Sequence, residues 1–135
     1  MAAAALELQK AIFAALKADP AVSAIVGNRI HDHAPANVAF PYLTFGRTSS
    51  FDWSTGTEIG TEHLFTIHVW SKAKGKSETL ELMGRVEEIL RDGSLAPQGH
   101  HLVNLTPDFA ESRFDEELSL HHGLLRYRAV TEPTD

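Results

Sequence analysis

The sequence contains no cysteine, which excludes a disulfide framework and any thiol nucleophile and suits a reducing compartment. Nowhere does it hold the ~18 consecutive apolar residues needed to cross a bilayer. The stretch Met1 to Leu8 has neither the basic start nor the long apolar run of a secretion signal. The chain is therefore expected to stay in the cytosol unless something carries it out. Positive charge is also short: 12 Lys and Arg face 18 Asp and Glu, giving a net charge of −6 and a pI near 5.7. Proteins that grip nucleic acid usually gain affinity by neutralising phosphates and releasing counterions, and here the balance runs the other way. Lys72, Lys74 and Lys76 form the only local basic cluster. Missing too are a G-x-S-x-G elbow, the G-x-G-x-x-G and G-x-x-x-x-G-K phosphate loops and the H-E-x-x-H metal motif. Acyl transfer, nucleotide binding and zinc hydrolysis thus have no local support.

What is present is ordinary globular material. The 135 residues, 43% hydrophobic and 22% charged, fit one domain over 1–135. A chain of this length buries roughly 68% of its unfolded surface and needs no metal or disulfide staple. Leu8, Ile12, Phe13 and Leu16 share one face of a first helix, with Glu7, Lys10 and Lys17 off it. Asp19-Pro20 breaks that helix and can cap a short second one through Ala21 to Val26, stopped by Gly27-Asn28. Arg29 to Pro41 reads as irregular, with a brief strand around Ile30 to His33.

Tyr42 to Trp53 is a long strand candidate, Ser54 to Gly60 a loop flexible enough to order on contact, and His63 to Trp70 a strand with period-2 alternation. Together they predict a hairpin from Tyr42 to Ser71. Ser77 to Asp92 is the clearest helix, with Leu82, Met83, Val86, Ile89 and Leu90 in one stripe and Gly93 placed to cap it. Strands are expected from His101 to Thr106 or beyond and from Ser119 to Thr131. A solvated Asp115-Glu116-Glu117 turn lies between them, and Glu132 to Asp135 are expected to fray. The order helix, strand, strand, helix, strand, strand predicts an α+β fold: an antiparallel sheet of about four main strands with helices packed on one face. Thr66, His68, Trp70, Arg126 and Arg128 fall on the other face.

Eight histidines are the one compositional hint of chemistry. His31 and His33 would share a strand face, whereas His100-His101 and His121-His122 would each straddle a strand and offer one ligand apiece to any site. A zinc site needs three or four converging ligands. The histidines are accordingly read as solvated or hydrogen-bonded surface groups, with no metal and no cofactor. Asp52, Glu58 and Glu62 could be brought together, but acidic residues near loops are usually just solvated, and no catalytic residue is assigned.

The chain resembles a family of phage tail-terminator, or tail-completion, proteins, formerly a domain of unknown function. The matching segments are Leu8 to Phe13, Val26 to Asp32, Pro41 to Gly46, Asp52 to Thr55, His68 to Ser71, Val103 to Leu105 and His122 to Ala129. Their order and spacing look closest to members from prophages and gene-transfer-agent clusters of α-proteobacteria. The resemblance implies a structural part of a virion or phage-like particle, cytoplasmic before assembly. It would form a ring, usually of six subunits, that caps the head-proximal end of the tail tube. The ring would stop tube polymerisation and dock the head connector. Its partners would be itself, the tail-tube protein and the connector or stopper, with DNA only in transit and no membrane. Another neck component of the same particle is the alternative, and a small metal-binding or enzymatic domain stands a distant third. Asp52, Trp53, Ser54, Thr55 and Trp70 are the expected contact residues, because aromatics concentrate at interfaces. Packing within the chain is the competing explanation for both tryptophans.

Overall fold

In the computed structural model, residues 3–91 and 94–134 are described. Helix α1, Ala4–Ala18, buries Leu8, Ile12 and Leu16, each 2% exposed or less. Glu7, expected off that stripe, is buried at its edge, and its carboxylate meets Lys10 Nζ at 3.5 Å. Asp19 ends α1 in an extended conformation and caps α2, Pro20–Val26, by accepting a hydrogen bond from the Val22 N–H at 3.0 Å. Pro20 at the first helical position loses no intrahelical hydrogen bond, because its nitrogen would have had no partner there.

Among the described residues, five strands form one sheet in the order β1-β2-β3-β5-β4. The first, β1 at Ile30–His31, is only two residues long and runs parallel to β2, Tyr42–Asp52. The sheet is therefore mixed and five-stranded rather than four-stranded and wholly antiparallel. The short parallel pair arises because Arg29 turns the chain. Its guanidinium donates to the Pro41 and Ile25 carbonyls, and its own carbonyl accepts from the Leu43 N–H. His33 falls outside β1, so the expected His31/His33 strand face does not form.

β2 pairs with β3, Thr61–Ser71, and β3 pairs along its whole length with β5, Leu120–Pro133. β4, His100–Asp115, closes the far side as an edge strand. It runs well past Pro107, which an edge strand tolerates because one side of its backbone is unpaired. The tail does not fray where expected: Pro133 pairs with His100, and the Thr134 N–H donates to the Gly99 carbonyl at 2.9 Å. Asp135 lies outside the described residues, as does the expected helix cap at Gly93.

The three helices lie on one side of the sheet. α3, Ser77–Arg91, turns Leu82, Met83, Val86 and Leu90 onto β3 and β5. It comes close because Gly123 has no side chain: a Cβ there would stand 2.7 Å from Met83 Sδ and 2.9 Å from Thr79 Cγ2. Ser71 Oγ donates to Glu78 Oε1 at 2.6 Å and ties the end of β3 to the first turn of α3. The core joins Leu8, Ile12 and Leu16 to Leu43, Ile67, Val69 and Leu125, with Phe65 stacked on Tyr127 at 5.6 Å. The Tyr127 hydroxyl is pushed up to about 12, first by burial and then by Glu87. No described helix is long and apolar enough to cross a membrane.

Candidate assembly surface

The helix-free face of the sheet carries the even-numbered residues of β3. At one end Tyr42, Thr44, His68, Trp70 and His122 converge from three strands, because the register sets Tyr42 and His122 opposite Trp70, and Thr44 opposite His68. Trp70 and His122 stack at 4.1 Å with only 3° between their planes, and Trp70 Nε1–H donates to Thr44 Oγ1 at 3.0 Å. His68 Nδ1 lies 2.7 Å from His122 Nε2, a hydrogen bond in which one ring must supply an unprotonated nitrogen. His122 is pulled down to about 4, mainly by burial and further by His68 and Arg113, with Asp115 opposing. Burial lowers His68 as well. Gly46 completes the arrangement, since a Cβ there would stand 2.2 Å from His68 Nε2.

Next along this face, from mid-sheet toward the Phe51 end of β2, is a groove of ≈ 420 Å³, lined by Arg47, Ser49, Phe51, Leu64, Thr66, Asp108 and Arg126. Phe51 and Phe109 are 49% and 45% exposed, and the Arg126 guanidinium sits over the Phe109 ring at 5.7 Å. Next to the groove, Arg128 is paired with Glu62. Sequence alternation identifies Thr66 and Arg126 on this face but misses Arg47, Ser49 and Phe51. A register slip between Phe45 and Thr48 reverses which β2 residues face outward, and alternation counted from Tyr42 cannot reveal it.

Beyond the groove lies the β2–β3 loop. Trp53 N–H donates to the Gly60 carbonyl at 2.9 Å, and the Gly60 N–H donates to Ser54 Oγ at 3.1 Å. Thr55 N–H donates to the Glu58 carbonyl at 2.8 Å, and Thr55 Oγ1 accepts from the Glu58 N–H at 3.0 Å. The expected flexible loop is thus closed by its own hydrogen bonds. Asp52 accepts from the Ser54 N–H at 3.1 Å, and hydrogen bonds to Ser54 hold its carboxyl below the usual range. Trp53 is 45% exposed at this tip, whereas Trp70 is held in the stack at the opposite end of the sheet. The proposed contact residues therefore form two separate places rather than one.

The structure does not gather the candidate carboxylates. Asp52 serves the loop turn, and Glu62 is engaged by Arg128. Among the described residues no three His, Asp or Glu side chains stand close enough to hold a metal. His63, expected at the surface, is fully buried on the helix side, where it bridges Thr131 Oγ1 at 2.9 Å and Ser50 Oγ at 3.4 Å. Its burial lowers its pKa.

A sheet with helices on one face, aromatic and charged residues on the other, and two open edges describes an assembly module. β1 covers only the start of β2, and β4 has no outer neighbour among the described residues. The chain belongs to the tail completion protein gp17 family, whose sequence model matches residues 10–132. The family is structural rather than enzymatic, so the chain is a tail-completion protein of a phage-type particle. The fold is similar to that of a chain in the virion of a native gene transfer agent particle, with a TM-score of 0.88 and 29% identity over 98% of this chain and 99% of that one. It is also similar to bacteriophage SPP1 gp17, with a TM-score of 0.64 and 22% identity over 98% of this chain and 91% of that one. No curated protein sequence matches it.

Proposed function

We propose that the chain is a tail terminator: a ring that caps the head-proximal end of the tail tube, stops its growth and docks the head connector. The observation that carries this reading is the family match over residues 10–132, together with the near full-length likeness to a gene-transfer-agent virion chain. Ring closure needs heterologous contacts, one patch meeting a different patch on the neighbour. The open edges of β2 and β4 are suited to such contacts. The Asp52-Trp53-Ser54-Thr55 tip meets the neighbouring subunit or the tube, and Trp70 borders the same bare face. DNA passes through without being held, in keeping with a net charge of −6.

The test is the mass of the purified protein by size-exclusion chromatography with light scattering, alone and with its tail-tube protein. A terminator gives a ring-sized species, near six times the 14.8 kDa of one chain, in at least one of the two conditions. A single-chain mass in both overturns the reading.

A further inference from the structure

The outer-face groove presents two arginines, Arg47 and Arg126, for which no ion pair is formed among the described residues. Its apolar lining is Phe51 and Leu64, and Asp108 is its one acid, leaving the pocket net positive. A volume of ≈ 420 Å³ falls within the ~300–1,000 Å³ of specific binding sites. The β4–β5 turn has the complementary character. Glu116 and Glu117 are exposed and make no ion pair among the described residues, and Leu118 beside them is 59% exposed. Asp115 holds the turn in shape by accepting from the Leu118 N–H at 3.0 Å.

A chain cannot fill its own groove. The turn extends past the Ser71–His121 end of the sheet, while the groove begins mid-sheet, where Thr66 pairs with Arg126, and runs away from that end toward Phe51. Along β3, the groove residues Thr66 and Leu64 lie roughly 17–23 Å from Ser71 at about 3.3 Å per residue, and the turn projects beyond that end.

We infer that the Glu116-Glu117-Leu118 turn of one copy docks in the Arg47/Arg126 groove of the next, with Leu118 against Phe51 and Leu64. The inference rests on the ring reading above and names the contact that closes the ring. Each subunit uses a different patch on each side, as closure requires. The charges fix the register, with Asp108 repelling a turn that enters too near β4.

Two charge-reversed full-length variants test it: Glu116→Lys with Glu117→Lys, and Arg47→Glu with Arg126→Glu. Each alone brings like charges together at every contact and is expected to drop to the single-chain mass, with an unchanged circular-dichroism spectrum. Mixed in equal amounts they are complementary in both directions, so the mixture is expected to regain the ring mass by alternating the two chains. Wild-type rings with variants that still assemble alone would overturn the docking contact and leave the ring reading standing. Variants that fail alone and also fail when mixed would do the same. A wild-type chain that stays single, with or without tube protein, would overturn both.

Discussion

Gly46 and His68 compete for one space, and the glycine gives way. Gly46→Ala forces the imidazole out of its position between β2 and His122. The expected cost is about 1–3 kcal/mol, as for other overpacked sites, and a urea titration of the variant against wild type measures it. The same ring pair makes stability depend on pH. His122 sits at about 4 in the fold against an ordinary 6.5, so between those values the unfolded chain binds more protons than the folded one. Stability is therefore full above pH 6.5, falls as pH drops through that window and levels off below about 4. His68 and His63, also lowered, act in the same direction. Replacing His122 with Phe keeps a flat ring beside Trp70 but removes the titrating nitrogen. Melting temperatures from pH 7.5 to 4.5 are expected to decline less steeply for His122→Phe than for wild type, and parallel declines would discard this account.

Elements with unbroken periodicity are legible in the sequence itself. The α1 and α3 stripes and the alternation of β3 put the right residues against the core, and Asp19-Pro20 announced its own cap. Asp19→Ala is expected to cost about 1 kcal/mol, readable as a shift in the denaturation midpoint. β2 and β4 were harder to read for a local reason. Slips at Phe45/Thr48, Leu102/Asn104 and Pro107/Phe109 each move the outward-facing set by one residue, and half of the groove disappears from a simple count. Other features are not local at all. The parallel seat of β1, the place of β5 between β3 and β4 and the burial of His63 depend on which strand becomes the neighbour, and a segment read alone carries no such information. Strand alternation puts Trp70 on the outer face, where the structure has it, while Trp53 stands at the loop tip. Their separation to opposite ends of the sheet required the register.

At the scale of the whole molecule, fold and assembly draw on different surfaces. The core lies between helices and sheet, while Trp53, Phe51 and the β4–β5 turn lie outside it. Trp53→Ala is accordingly expected to leave the unfolding free energy within about 0.5 kcal/mol of wild type, as exposed positions usually do. The same variant should weaken association with neighbour or tube, read as a smaller ring fraction in light scattering. Unchanged assembly would remove Trp53 from the contact. The two indoles also make the protein its own optical instrument. Trp70 lies flat against an imidazole, and protonated imidazole quenches indole emission, so acid titration should dim its fluorescence as the stack gains charge. Trp53 stands in water and should shift to the blue as subunits close over it. With one tryptophan at each end of the sheet, single-tryptophan variants would let emission intensity follow the histidine pair and emission colour follow ring closure, without any added dye.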